Sequence, residues 1–138
     1  MNGYLLVAML VGAVALVGCK EREQSFATKK APAATVKVDL DSFTVKADMA
    51  SAPKGAIKFI ARNLHAKDVH ELAVLRLRAD GTKQNTGEVQ DLKAKTVGEI
   101  VLDLPAGKYE LACLIAKGEE GSTVDHYTEG MRIPFEVR

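Results

Sequence analysis

Thr35-Val36-Lys37-Val38-Asp39-Leu40 alternates apolar and polar residues with a period of two, and Phe43 and Val45 resume the pattern after a short break. Alternation of this kind sends every second side chain to one face, the signature of a half-buried strand. The same reading extends along the chain. Ala56–Arg62 supplies Ile57, Phe59 and Ile60, and His70–Leu77 supplies Leu72, Val74, Leu75 and Leu77. Val97–Leu104 supplies Val97, Ile100, Leu102 and Leu104, while Tyr109–Ala116 and Ile133–Arg138 complete the set. Breakers stand between them at Ala52-Pro53-Lys54-Gly55, Asp80-Gly81, Pro105-Ala106-Gly107 and Gly118–Gly121. Six or seven short strands so punctuated predict an all-β domain, a β-sandwich. Gly87–Lys95 is compatible with a short helix or with a crossover.

Upstream of this pattern the first 18 residues carry no charge, and Tyr4–Val17 is an apolar run of fourteen broken only by Gly12. That length suits a secretory leader and falls short of the roughly 20 residues that span a bilayer. The run ends in Leu16-Val17-Gly18-Cys19, which resembles the lipobox of bacterial lipoproteins. The resemblance implies cleavage before Cys19 and acylation of that cysteine. It departs from the pattern in Met1-Asn2-Gly3-Tyr4, which carries no Lys or Arg. An ordinary secretion signal and an uncleaved short anchor are the alternatives.

Glu21–Ala34 is polar and Ala-rich without apolar periodicity, as expected of a tether. The organisation read from sequence is thus a leader over 1–18, a lipidated cysteine and tether over 19–34, and a folded domain over 35–138. Several acyl chains would hold such a protein at a membrane almost permanently. The expected location is extracytoplasmic, on the periplasmic side of the outer or inner membrane or at the cell surface. Lys20, where Asp would favour inner-membrane retention, points to the outer membrane.

With 138 residues the chain holds one small domain, which excludes large multidomain enzymes. Its 19 basic and 18 acidic residues give a net charge of +1 with no dense basic block and no Trp, which argues against a nucleic-acid partner. Neither GxxxxGK[ST] nor GxGxxG occurs, and none of Ser25, Ser42, Ser51 or Ser122 lies in a GxSxG elbow. Carboxylates on alternating strands read as a solvated face.

The residues that carry chemistry are His70, Cys113, His126 and Met131. They stand in His70-Glu71-Leu72, in Pro105-Ala106-Gly107-Lys108-Tyr109-Glu110-Leu111-Ala112-Cys113, and in His126-Tyr127-Thr128-Glu129-Gly130-Met131. One upstream His, then Gly-x-Tyr-x-x-x-Cys, then His-x4-Met ahead of a closing strand resembles the cupredoxins, or blue copper proteins. Asp48–Phe59, with Pro53, Gly55, Ile57 and Phe59, is similar to the family's second-strand region. The resemblance spans residues 35–138 and implies a Greek-key β-sandwich of about six to eight strands, with one type 1 copper. It implies an electron carrier, not an enzyme.

The donor chemistry agrees: a thiolate, two imidazoles and a weak axial thioether form the blue-copper set, whereas zinc more usually takes more Cys or His and no Met. Cys113, if Cys19 is acylated, is also left with no partner for an internal disulfide. By resemblance, His126 would reach the surface as the electron port and Met131 would tune the potential. The departure is the loop: most members of the family place this His two to four residues after the Cys, whereas here twelve residues, Leu114–Asp125, intervene between Cys113 and His126. This reads as an inserted hairpin or bulged loop.

His65, five residues before His70, reads as an exposed His and as the reserve ligand should His126 fail. Asn63 reads either as a group hydrogen-bonding the Cys113 loop or as an ordinary turn Asn. Tyr109 and Tyr127 read as packing groups. Expected partners are the membrane, through the lipid, and a redox protein or copper acceptor, with the protein a monomer. The rival reading is a copper-delivery lipoprotein on the same fold, without an electron-carrier role.

Overall fold

The structure, a computed structural model, describes residues 31–138. The leader, Cys19 and the tether up to Lys30 lie outside the described residues. Within them the alternating segments become β1 (Ala34–Asp41), β2 (Thr44–Ala47), β3 (Ser51–Ala52), β4 (Gly55–Asn63), β5 (His70–Leu77), β6 (Lys83–Leu92), β7 (Val97–Leu104), β8 (Gly107–Ala112) and β9 (Arg132–Val137). They form two mixed sheets, ordered β2-β1-β4-β7 and β3-β9-β8-β5-β6. The β-sandwich expected from the sequence is present, with nine strands rather than six to eight. Two of the strands are short: β3 contributes a parallel pairing of two residues to β9, and β2 folds back on β1.

Period-two alternation fixes which side chains meet. Val36, Val38 and Leu40 of β1 and Ile57, Phe59 and Ala61 of β4 are fully buried, and so are Leu72 and Val74 of β5 and Tyr109 and Leu111 of β8. The two inner faces interlock as in other sandwiches. Phe59 meets Phe135 of β9 edge to face, with centroids 5.8 Å apart, and so ties the sheets together. Each buried side chain of this size contributes roughly 1.5–3 kcal/mol. Tyr109 also keeps its polar end satisfied, because its hydroxyl donates to Pro105 O at 2.8 Å.

Gly87–Lys95 is neither helix nor simple crossover. Its first part lies within β6, which pairs antiparallel with β5 and forms one edge of its sheet. A Cβ at Gly87 would stand 2.5 Å from Leu102 Cδ2, so a larger residue there would have to displace that side chain where the strand packs on β7. Tyr109–Ala116 divides instead: β8 ends at Ala112, and the chain leaves the sheet at Cys113. The site is built at that end of the sandwich.

Candidate metal centre

His70 opens β5, and the register of β5 against β6 shifts between His70 and Leu72. Such a bulge re-aims side chains at the end of a strand, and His70 is fully buried here. Cys113 follows the last residue of β8, and its N–H donates to Met131 O at 3.0 Å, extending the β8–β9 ladder by one bond. Glu71 holds the cysteine from two sides. Its N–H donates to Cys113 Sγ at 3.4 Å, and its Oε1 accepts the Leu114 N–H at 2.9 Å.

The His-x4-Met spacing also has a local cause. Asp125 Oδ1 accepts the Thr128 N–H at 2.8 Å, and the Met131 N–H donates to His126 O at 3.0 Å. Gly130 completes the turn at φ +99°, a conformation that favours glycine. Met131 is thereby joined through its backbone to both His126 and Cys113, and its side chain is fully buried.

Three donor atoms converge. His70 Nδ1 lies 3.3 Å from His126 Nδ1, which lies 3.4 Å from Cys113 Sγ, and all three residues are buried. Of the two separations, that between the nitrogens is long for a hydrogen bond between neutral rings, since N–H bonds to first-row acceptors centre near 2.9–3.0 Å, while 3.4 Å to sulfur is also an ordinary thiol hydrogen-bond length. Both match donors sharing one ion: two atoms each about 2.0–2.3 Å from a common centre at a near-tetrahedral angle lie about 3.4 Å apart. The nitrogen of His70 that joins the cluster is Nδ1; its Nε2 is buried with no hydrogen-bond partner among the described residues.

Protonation suits the same use. Burial, reinforced by the charges of His126 and His65, lowers the His70 pKa to about 4, and burial also lowers that of His126. Both imidazoles are therefore neutral at pH 7, the state that ligates a metal. Burial pushes the Cys113 thiol up to about 11, so binding a metal there must displace a proton.

No protein-family model and no curated protein matches the chain. Solved structures do. Dithionite-reduced auracyanin from the photosynthetic bacterium Roseiflexus castenholzii superposes with a TM-score of 0.60, covering 78% of this chain and 98% of its own at 15% identity. Auracyanin B gives 0.56, covering 79% and 91% at 16% identity. Auracyanin A, described as a "blue" copper protein from the green thermophilic Chloroflexus aurantiacus, gives 0.52, covering 75% and 99% at 15% identity. The domain has the cupredoxin fold.

Within this cupredoxin fold the sequence-predicted residues fall into two groups. His70, Cys113 and His126 bring their donor atoms together, and the backbone of Met131 is hydrogen-bonded to Cys113 and His126. His65 stays outside that set. Its Nδ1 accepts the Asp68 N–H at 2.8 Å, and its ring lies edge-on to His70 with centroids 5.8 Å apart. Asn63 does not hydrogen-bond the Cys113 loop. It ends β4 on the opposite sheet, where its Nδ2 donates to Asp68 O at 2.8 Å and Leu92 O at 2.7 Å, and its Oδ1 accepts the His65 N–H at 2.9 Å. It therefore pins the loop in front of His70, and it does so from the buried interior.

The surface port implied for His126 also requires correction. His126 is 2% exposed. Phe43 packs its ring edge-on at 5.1 Å, from a turn in which Ser42 and Phe43 both take positive φ. A bulky residue in that region is strained, and here the turn aims its ring at the site. Ser122, from the long loop, covers the far nitrogen of His126 at 3.0 Å. Outside it lies a cleft of about 250 Å³ whose lining includes Phe43, Lys67, Asp68, Glu120, Ser122 and His126, with several polar groups in place of an apolar patch.

Sequence reasoning missed Glu71, Phe43 and Ser122 as parts of the site. Glu71 is adjacent to His70, and Ser122 stands four residues before His126, but neither carries a motif. Tyr127 lies on the outer face beside Ala73, Leu75, Ala112 and Leu114. Its hydroxyl donates to Glu110 at 2.5 Å, and the Arg132 guanidinium lies 4.4 Å from its ring centre, consistent with a packing role.

Proposed function

We propose that this domain holds one copper ion through His70 Nδ1, Cys113 Sγ and His126 Nδ1, with Met131 as a weak fourth donor, and passes single electrons. The observation that carries the reading is the convergence of two neutral imidazoles and a thiol in a buried cluster. The cupredoxin fold and the soft-to-borderline donor set support it. Copper supplies the one-electron couple when bound. The chain's contribution is to hold the donors still: His70 stands on a strand, Cys113 is tied to β9 and Glu71, and His126 is closed into a turn. Donors fixed by a packed sandwich move little between oxidation states, which suits a carrier rather than a catalyst.

The reading includes the leader: acylated Cys19 and a short tether would place the domain outside the cytoplasm at a membrane surface, as a monomer meeting a redox protein. A second reading, copper delivery to an acceptor protein, is favoured by the burial of His126, which withdraws the ring edge that the family resemblance assigns to electron exit.

Repeated redox cycling of the copper-loaded full chain separates the two. The carrier reading expects one copper per chain, retained through reduction and reoxidation in the presence of a Cu(I) chelator. Release of the ion to the chelator on each reduction would favour delivery. Failure to bind stoichiometric copper would overturn both.

A further inference from the structure

The loop that separates Cys113 from His126 carries a hydroxyl aimed at the site, and its hydrogen-bond inventory is informative. Ser122 Oγ lies 2.8 Å from Val124 O, 3.3 Å from Val124 N and 3.0 Å from His126 Nε2. A hydroxyl has one proton to donate and two lone pairs. Val124 O is an acceptor only, so it takes the Ser122 proton, and the Val124 N–H is a donor only. The remaining lone pair of Ser122 therefore faces His126 Nε2, and that contact is satisfied when Nε2 carries the hydrogen.

We propose that Ser122 is a positioning residue that holds His126 in the Nε2–H tautomer, leaving the Nδ1 lone pair directed at Cys113 and His70. A neutral imidazole has one protonated and one bare nitrogen, and the hydrogen bond at one end selects the state of the other. Ligating histidines are commonly oriented through the nitrogen that does not bind the metal. Here the partner comes from the long loop, which is the segment that departs from the family pattern.

The loop is built to hold that hydroxyl without help from a metal. The His126 N–H donates to Ile115 O at 3.0 Å, closing its neck. The Ser122 N–H donates to Glu119 O at 2.7 Å, and the Gly118 N–H donates to Ser122 O at 2.8 Å. Glu119 Oε2 then accepts the Ala116 N–H at 2.9 Å. Gly121, at φ +77°, makes the reversal that delivers Ser122. Phe43 packs on the His126 ring, so the ring is fixed by a carbon contact and a hydrogen bond together.

The inference rests on the proposed metal site for its purpose, but the tautomer is measurable without metal. Long-range proton–nitrogen NMR on the metal-free full chain reads which His126 nitrogen is protonated. The expected result is Nε2–H in the native protein, a mixed population in Ser122→Ala, and recovery of Nε2–H in Ser122→Thr, with backbone amide spectra reporting that each variant is folded. Cu(II) affinity should fall about 10–100-fold in Ser122→Ala and be retained in Ser122→Thr. Protonation at Nδ1 in the native protein, or a Ser122→Ala variant with unchanged tautomer and affinity, would overturn the proposal. A native protein that shows Nε2–H but binds no copper would sink the metal reading while leaving the tautomer assignment to Ser122 standing.

Discussion

Cys113→Ser is expected to abolish the visible thiolate-to-copper absorption of the loaded protein. It should also weaken copper binding by more than the about 10–100-fold that loss of an outer hydrogen-bond partner costs. Cys113 Sγ is the one soft anionic donor in the cluster, and its ionisation supplies charge that a serine hydroxyl does not supply at neutral pH. The fold should survive. A serine hydroxyl at this position can accept the N–H that Glu71 directs at Sγ and can donate to His126 Nδ1, so neither polar neighbour is stranded. Absorption spectra and a denaturant midpoint measured together separate a lost ligand from a lost fold. Colour that persists in the variant would show that the thiolate at 113 is not the donor.

Acid should destabilise the metal-free protein by about 3 kcal/mol through His70 alone. The folded-state pKa of this imidazole is lowered from 6.5 to about 4, chiefly because burial penalises its charged form. Between those values the unfolded chain binds a proton that the folded chain does not. Stability is therefore fully present above pH 6.5 and is lost progressively as pH falls toward 4. His126 is shifted in the same direction, also by burial. Glu71 works in the opposite direction: burial raises its carboxyl, so its contribution is lost as pH rises. Comparison with His70→Leu isolates the histidine, because the variant keeps the other groups. Denaturant unfolding of the metal-free proteins from pH 7 to pH 4 should give a steeper decline in the native chain than in the variant. Parallel curves would mean that His70 is protonated equally well in both states, contrary to its burial. Metal loading should steepen the native decline, because ligated His70, His126 and Cys113 bind no proton in the folded state while the unfolded chain does.

The two predictions depend on parts of the molecule that differ in how plainly the sequence displays them. Val36, Val38 and Leu40 alternate with charged residues because β1 has one face on the core, and β4 and β7 repeat the signal against it. β6 hides its nature because it is an edge strand. Lys83–Gln90 contributes Val89 as its only large apolar side chain, and Gly87 sits against the Leu102 side chain rather than in a turn. Period-two alternation weakens wherever neither face is deeply buried.

The candidate site divides in the same way. His70, Cys113, His126 and Met131 were visible because their types and order form a pattern, and the Cys113 N–H to Met131 O and Met131 N–H to His126 O bonds explain its last spacing. Ser122 and Phe43 were not visible, since what matters in each is where a loop or turn delivers an ordinary side chain. Of the two readings of Asn63, a bond to the Cys113 loop and an ordinary turn Asn, the structure removes the first. The place of Asn63 near the site in sequence does not reveal that it lies on the opposite sheet, facing Leu92 and Asp68. The surface position expected of His126 failed because the longer loop folds back over the ring.

The central claim is that one ion is held by these particular atoms, and anomalous scattering at the copper edge from crystals of the copper-loaded full chain tests it most directly. The account predicts a single strong peak within bonding distance of His70 Nδ1, Cys113 Sγ and His126 Nδ1, with Met131 alongside. A peak elsewhere on the surface, or no peak in protein exposed to stoichiometric Cu(II), would contradict it.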